Sequence, residues 1–482
     1  MRANVDEGSQ RRGRVAGEGV AAIAAWVVIA MASSVAWAQP APAPSPKPID
    51  SAAEPPASSS EVGTSPTPEP QPGEPPASSP EEGAASTSGV QPEEPQAPGP
   101  RAGRYQIGPF YLTPSFKIGT IGMDTNTLYT PSGPRADMTA SGGPGLEIVL
   151  PVWRALRLRG NGALTYLYFL RTASERRLMG SGSGRCEWDG VRTGVALEAS
   201  MARQRARPSL EVDQRVLYTD TMHRVSLRRT LFGLTRLQLS GQHDRREVDA
   251  GEEEYGVDLR RAMTHEDYRL AADLDYGLTV KTSLAATYEH MRDRFPYLAG
   301  RDTDRDRLMG GVRTDATALV SGEAMAGVQW VRPHGGSPAS RPRAVCDVDA
   351  LLNLSVKTHI GGSYRRDYSF SMLAPSAETP SVLTETIGAR LDKDLVGALN
   401  FQAFARRMRL WDDGTLSLVL PGGQTYSGTR RDTADEVGAD LGYRFRGHLR
   451  LGVAASYLKR RSTVSYFGIQ GLLVGLSARY NP

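Results

Sequence analysis

Apolar and polar residues alternate with a period of two along most of the chain from Phe110 onward. In one such segment the apolar phase consists of Val437, Ala439, Leu441, Tyr443 and Phe445. The intervening phase consists of Glu436, Gly438, Asp440, Gly442, Arg444 and Arg446. Because successive side chains of a β-strand point to opposite faces, this pattern predicts strands with one apolar face and one charged face. The same division recurs in segments 236–242, 356–368 and 449–460.

The connections between the predicted strands alternate between short and long. Short turns are expected near Pro151, Arg207, Gly233, Gly277, Ser321, Leu395 and Gly447. Long charged loops are expected at 171–185, 247–266 and 412–429. A soluble β-sandwich shares the period of two, but short turns on one side and long loops on the other are typical of outer-membrane barrels. Aromatic residues at strand ends suit the interfacial girdles of such barrels, as at Tyr166, Tyr168 and Phe169.

We therefore predict an all-β fold, a transmembrane antiparallel up-and-down β-barrel of about eighteen strands over residues 104–482, with about sixteen strands as the alternative. A barrel of this size encloses an aqueous channel unless something fills it. The last apolar phase ends on Tyr480, followed only by Asn481 and Pro482, and is similar in kind to the terminal signal that the barrel-assembly machinery reads. That machinery and the lipid of the outer membrane are the expected partners in assembly.

The N-terminal quarter of the chain has a different composition. An apolar run at 19–36 follows Arg11, Arg12 and Arg14 and ends in small residues, which predicts a signal peptide over residues 1–38 that is cleaved after Ala38. Residues 39–103 are rich in Pro, Ser, Glu and Ala, a composition that predicts a disordered, extended periplasmic tether. The predicted location of the mature protein is the outer membrane, and this location excludes nucleic acid as a partner.

Charge is divided unevenly between these regions. The predicted tether has nine acidic residues against Lys47 and Arg101, a net charge of −7, and the predicted signal peptide has a net charge of +1. Since the whole chain carries +4, residues 104–482 carry 4 − 1 + 7 = +10. A net charge of this kind bears on steering and nonspecific binding of ions, and it does not identify a ligand.

Basic residues recur in the polar phase of the predicted strands and are candidates for lining a pathway for anionic cargo, because a guanidinium pairs well with carboxylate and phosphate. The candidate pore-lining residues are Arg157, Arg159, Arg192, Arg236, Lys281, Lys357, Arg365, Arg444, Arg446 and Arg450. The alternative is that these cations neutralise acidic residues on neighbouring strands, namely Glu198, Glu289, Asp367, Glu436 and Asp440. The sequence leaves both interpretations open.

Other candidate chemistry is weaker. Asp302, Asp304 and Asp306 have the spacing of a calcium loop, but Arg307 stands where the loop requires glycine and no glutamate closes the site. The seven histidines have no zinc-type spacing, and no catalytic triad can be placed in phase. Cys186 and Cys346 are interpreted as isolated small strand residues, although one disulfide is the alternative. We expect no metal, no cofactor and no enzymatic activity, with a barrel enzyme acting on lipid or peptide as the minority alternative.

The first predicted strand carries a family resemblance. The stretch from Gly108 to Phe116, followed by residues 122–126, resembles the first strand of the putative β-barrel porin group of Gram-negative outer-membrane proteins, which includes barrels associated with exopolysaccharide secretion. The resemblance implies an outer-membrane pore that takes part in exopolysaccharide export, beside periplasmic polysaccharide export proteins and with an anionic polysaccharide as cargo. A general or anion-preferring diffusion porin is the alternative function.

Overall fold

The fold is described from a computed structural model that covers residues 105–131, 133–254, 256–314, 319–334, 342–372, 381–412, 416–419, 425–445 and 448–480. The predicted signal peptide and tether, 1–38 and 39–103, lie outside these residues and stay predictions. Among the described residues, no helix is long and apolar enough to span a membrane.

Eighteen long strands form the wall of the barrel. They are β2 (Phe110–Asp124), β3 (Asp137–Pro151), β4 (Leu156–Phe169), β5 (Arg177–Asp189), β6 (Thr193–Ala206), β7 (Val216–Thr230), β8 (Thr235–Val248), β11 (His265–Gly277), β12 (Thr282–Arg294), β13 (Thr303–Thr314), β14 (Val320–Pro333), β15 (Arg343–Ser355), β16 (Thr358–Ser369), β17 (Val382–Asp394), β18 (Leu399–Asp412), β21 (Arg431–Phe445), β22 (Leu449–Ser462) and β23 (Ile469–Tyr480).

Short elements accompany the wall. Strand β1 (Tyr105–Ile107) pairs with the start of β2. The connection from β8 to β11 contains the hairpin of β9 (Glu253–Glu254) and β10 (Val257–Asp258), followed by helix α1 (Leu259–Met263). A second hairpin, β19 (Leu416–Val419) with β20 (Thr425–Gly428), lies between β18 and β21.

The sheet closes on itself, which confirms the predicted barrel and its larger strand number. Each wall strand pairs antiparallel with its neighbours in the chain, and β2 pairs both with β3 and with the last strand, β23. At this seam Phe116 lies opposite Tyr480 and Asp124 lies opposite Leu473. Closure gives the backbone N–H and C=O groups of the wall partners within the sheet, which the interior of a bilayer demands.

Connection lengths follow the predicted alternation with two corrections. On one side, the turns have two to five residues, and on the other side the loops have six to eighteen. The expectation of a short turn near Arg207 was wrong, because residues 207–215 form a nine-residue connection on the loop side. The loop expected at 171–185 is shorter, since β5 already begins at Arg177. By the convention of outer-membrane barrels, the turn side faces the periplasm and the loop side faces the outside.

The two faces of the wall divide as the alternation predicts. Large apolar side chains of the outward phase are widely exposed, as for Leu164 (51%), Leu270 (63%) and Leu476 (59%), and this surface suits a lipid environment. The inward phase carries most of the charge. Directly paired residues of antiparallel strands share a face, so the register alone places whole rows of residues in the lumen.

Gly122 allows the seam to close. The pairing register of β2 shifts between Ile118 and Gly122, where the strand has a bulge. A Cβ atom at position 122 would lie 2.1 Å from the Val474 carbonyl oxygen and 2.7 Å from the Gly475 Cα. These are backbone atoms of β23, so no side-chain rotation could relieve the clash.

We therefore expect the substitution Gly122→Val to prevent closure between β2 and β23. The measurement is the heat-modifiable mobility of the folded barrel on gels, which should be lost or strongly reduced. Gly362→Val is the matched control, because a Cβ at Gly362 of β16 has open space within 4 Å. Equal amounts of heat-modifiable barrel from both variants would contradict the role given to Gly122.

Candidate functional site

The lumen of the barrel is lined by ion pairs between side chains of different strands. All five acids named as possible neutralising partners contact an arginine. Glu198 lies 4.0 Å from Arg185, Glu289 lies 3.5 Å from Arg307, and Asp367 lies 2.9 Å from Arg307. Glu436 pairs with Arg406, and Asp440 pairs with Arg450. Much of the arginine content of the wall is therefore balanced locally, although among the candidate cations only Arg450 and Arg365 pair with one of these five acids.

The candidate pore-lining residues divide into groups. Arg157 pairs with Asp189 at 2.9 Å, and Arg365 lies 3.5 Å from Asp367. Arg159, Arg236 and Arg444 lie in strands, whereas Arg192, Lys281 and Lys357 lie in turns. Arg446 lies outside the described residues. That these residues line a transport pathway stays a prediction.

Four of the candidate cations have no ion-pair partner and lie near the turn side. Arg192, Arg236, Lys357 and Arg444 are exposed, and none has a carboxylate of the described chain within 4.0 Å. Each of them lies in a turn or within two residues of one. The uncompensated positive charge of this set is thus at the opening that faces the periplasm.

At the opposite, loop-side mouth, the connection 207–215 folds inward and is held by two buried arginines. Arg430 donates to the carbonyl oxygens of Leu210 at 2.9 Å and Glu211 at 3.1 Å, and it pairs with Asp432. Arg460 donates to the Leu210 carbonyl oxygen at 2.8 Å and pairs with Asp213.

These contacts can be made only across the lumen. The segment connects β6 and β7, the fifth and sixth strands of the wall, whereas Arg460 belongs to β22, the seventeenth. In the other direction, Glu211 accepts hydrogen bonds at 2.6 Å from Ser371 Oγ and at 2.8 Å from the Met372 N–H, between the thirteenth and fourteenth strands. Partners that lie six or seven strands away on both sides place the segment in the middle of the mouth.

Apolar packing joins the segment to loops from several sides of the barrel. Val212, 1% exposed, belongs to a buried cluster that draws on five parts of the mouth. The other members of the cluster are Val216, Tyr218, Val248, Leu259, Ala262, Met263, Val464 and Phe467. We call the segment 207–215, together with the loops that pack on it, the loop layer. Sequence reasoning missed this layer because 207–215 was interpreted as a turn. The density of Glu211, Asp213 and Arg215 in so short a stretch was the available signal.

Two carboxyl groups of this layer are buried. Burial raises the pKa of Glu254 to about 8, and the neighbouring Asp213 adds to the shift. Glu254 Oε1 accepts hydrogen bonds from the N–H groups of Asp213 at 2.8 Å and Gln214 at 3.2 Å. Burial also raises the pKa of Glu211. Because burial makes both carboxyl groups hard to ionise, the stability of the packed loops depends on pH.

The remaining candidates have structural roles. In the stretch with calcium-loop spacing, Asp304 and Asp306 lie in β13, where Asp304 accepts from Arg292 at 2.8 Å and Asp306 contacts His290 at 2.9 Å. Within the described ranges, no three His, Cys, Asp or Glu side chains are grouped so as to hold a metal ion. Both cysteines are free. They lie on the fourth and twelfth strands of the wall, too far apart to form a disulfide.

Comparison with known proteins gives the family. The family model described as putative beta-barrel porin 2 matches residues 98–481, nearly the whole barrel. The chain belongs to this family. The match agrees with the resemblance found in the first strand, and membership of a porin family supports an outer-membrane location and transport rather than catalysis. No curated protein matches this porin.

Solved structures with a similar fold are outer-membrane receptors. The siderophore receptor PirA from Acinetobacter baumannii is 8% identical with a TM-score of 0.41, covering 77% of this chain and 80% of the receptor. The FrpB iron transporter from Neisseria meningitidis is 9% identical with a TM-score of 0.40, covering 73% of this chain and 63% of the transporter. At this distance the comparison adds nothing about cargo.

The raised pKa of Glu254 predicts how the loop layer responds to pH. Its neutral form is the one that the folded layer accommodates, so the contribution of Glu254 is fully favourable below its ordinary pKa of 4.5 and is lost as pH rises toward about 8. Asp213 opposes ionisation and Arg430 favours it, while Tyr466 is a further titratable neighbour. We expect hydrogen-exchange protection of the Val212 and Val216 amides to fall between about pH 5 and 8.

The substitution Glu254→Gln should flatten this pH dependence, because the amide cannot ionise. Glu253→Gln is the matched control, since Glu253 lies in the same hairpin but is exposed. The same decline of protection in the Glu254→Gln variant as in the unmodified protein would contradict the assignment.

Proposed function

We propose that this porin exports an anionic exopolysaccharide across the outer membrane. The single observation that carries the proposal is that a packed loop layer crosses one mouth of the barrel, whereas turns of two to five residues border the other. Exposed candidate cations without ion-pair partners lie at this second, turn-side opening. A barrel built this way is suited to take cargo from the periplasm and release it outward.

Electrostatics supports an acidic cargo. A low-dielectric wall focuses the field of the turn-side cations into the aqueous lumen and raises the local concentration of anions there. The effect reaches across the opening at ionic strengths near 0.1 M, where the Debye length is about 10 Å. Partners consistent with this direction are periplasmic polysaccharide export proteins, which would deliver the chain to the cationic opening.

A general or anion-preferring diffusion porin is the second candidate, and the family assignment favours it. Such a porin needs a path that is open at both ends. The segment 207–215 lies across the mouth, so passage through the barrel requires its displacement. An enzymatic function has no positive support from the site.

Deleting the gene should abolish surface polysaccharide and cause acidic polysaccharide to accumulate in the periplasm. The measurement is uronic acid content in the extracellular and periplasmic fractions. Complementation with the unmodified protein should restore export, whereas the Gly122→Val variant, which we expect not to close, should fail to do so. Normal surface polysaccharide together with slower uptake of small anions would favour the diffusion porin instead.

Displacing the loop layer should open the barrel. Because Ala206 pairs with Val216, residues 207–215 can be replaced by a short Asn-Gly turn without disturbing the wall. We expect the conductance of this variant in planar bilayers to rise several-fold over that of the unmodified porin. As a control, replacing the turn 395–398 between β17 and β18 by Asn-Gly, on the opposite side of the barrel, leaves 207–215 in place. Equal conductance of the unmodified and shortened barrels would contradict a closed mouth.

A further inference from the structure

Four cations lie side by side on the lumen face at the barrel seam. In the register of the sheet, Arg444 of β21 lies opposite Arg450 of β22, Arg450 lies opposite Arg479 of β23, and Arg479 lies opposite Lys117 of β2. We call these four residues the seam row. Three spacings between strands of about 4.8 Å make the row roughly 14 Å long.

Folding alone gives no reason for such a row. Like charges directly opposite each other in neighbouring strands destabilise a sheet. Several arginines elsewhere on this lumen face lie opposite acids across strands, as in the pairs of Arg307 with Glu289 and Arg406 with Glu436. In the seam row, only Arg450 has an ion-pair partner within the described chain, the carboxylate of Asp440. Arg444, Arg479 and Lys117 are exposed.

The floor around the row is made of small residues. In the lumen phase, Gly442, Gly452, Ser477 and Gly143 flank or adjoin the four cations. A Cβ at Gly442 would lie 2.4 Å from the Arg450 Cζ atom, so glycine at this position lets the Arg450 guanidinium lie flat against the wall. Arg450 is further fixed by Asn400, whose Oδ1 accepts from its Nε at 3.2 Å. The small residues thus leave room for the Arg450 guanidinium, which covers the wall at Gly442 and Gly452.

We propose that the seam row is a binding site for an extended anionic oligosaccharide that carries carboxylate groups. Guanidinium groups form paired hydrogen bonds with carboxylates, and a row of them at strand spacing can engage successive acidic sugars along a chain. Lys117 adds a compact charge at the end of the row on β2. The inference rests on the proposed export function for its biological meaning, while the binding itself can be measured without transport.

The test is calorimetric titration of the detergent-solubilised, full-length porin with hexagalacturonate, and with maltohexaose as the uncharged probe. We expect hexagalacturonate to bind in ~0.1 M salt and lose most of its affinity in ~1 M salt, where the Debye length falls to about 3 Å. Maltohexaose should not bind measurably. The double variant Lys117→Gln/Arg479→Gln should weaken hexagalacturonate binding at least tenfold.

Arg407→Gln/Arg461→Gln is the matched control, because it removes the same charge from the outward phase of β18 and β22, where both arginines pair with Asp435. This control should bind like the unmodified porin. Heat-modifiable mobility shows that each variant is folded. Unchanged affinity in the Lys117→Gln/Arg479→Gln variant, an equal loss in the control, or equal binding of maltohexaose would overturn the site.

The outcomes for the site and for export can be told apart. Binding that depends on the seam row, in a strain whose polysaccharide export does not need the porin, would leave the site standing and reject the export function. Export that needs the porin, with no binding of hexagalacturonate in low salt, would reject the site alone.

Discussion

The barrel depends on the requirement that every backbone N–H and C=O group within the bilayer has a partner in the protein, because lipid offers none. An antiparallel sheet can meet this requirement only when its first and last strands join. Here the closing contact is the pairing of β2 with β23, and the absence of a side chain at Gly122 is what lets the two backbones approach. The orientation of each lumen residue then follows from this one register.

Once the wall is closed, most of the charge of the strands lies in the lumen and at the two mouths. Arginines within the wall are mostly balanced by acids on adjacent strands, which keeps the cost of partly burying them low. The exceptions include the exposed candidate cations at the turn-side opening and three residues of the seam row, which place positive charge at the periplasmic entrance and along one strip of the wall.

The loop-side mouth is held by side-chain hydrogen bonds and apolar packing, whereas the wall is held by backbone pairing. The connection 207–215 has no strand partner, and the arginines of the far side hold its carbonyl groups through their side chains. Side-chain hydrogen bonds of this kind can break without opening the sheet. Glu254 and Glu211 are buried, so ionising either carboxyl group destabilises the closed arrangement. Closure is therefore a balance between favourable apolar burial around Val212 and the unfavourable desolvation of charge. A rigid wall with a less strongly held mouth suits a barrel that opens for cargo.

The sequence by itself determined the fold class, an approximate strand number and which residues of each strand face lipid or lumen, because the period of two is a local property of an extended chain with two different environments. It also placed most turns, since glycine and short polar stretches act locally, as at Gly233. Only the tertiary structure decided which charges meet. Arg460 and Asp213 are far apart in the chain and in strand order, and the charged residues of 207–215 do not by themselves reveal which strands across the mouth they contact. The seam row likewise needed the register between the two ends of the chain, since Lys117 and Arg479 become neighbours only when β2 meets β23 and the barrel closes.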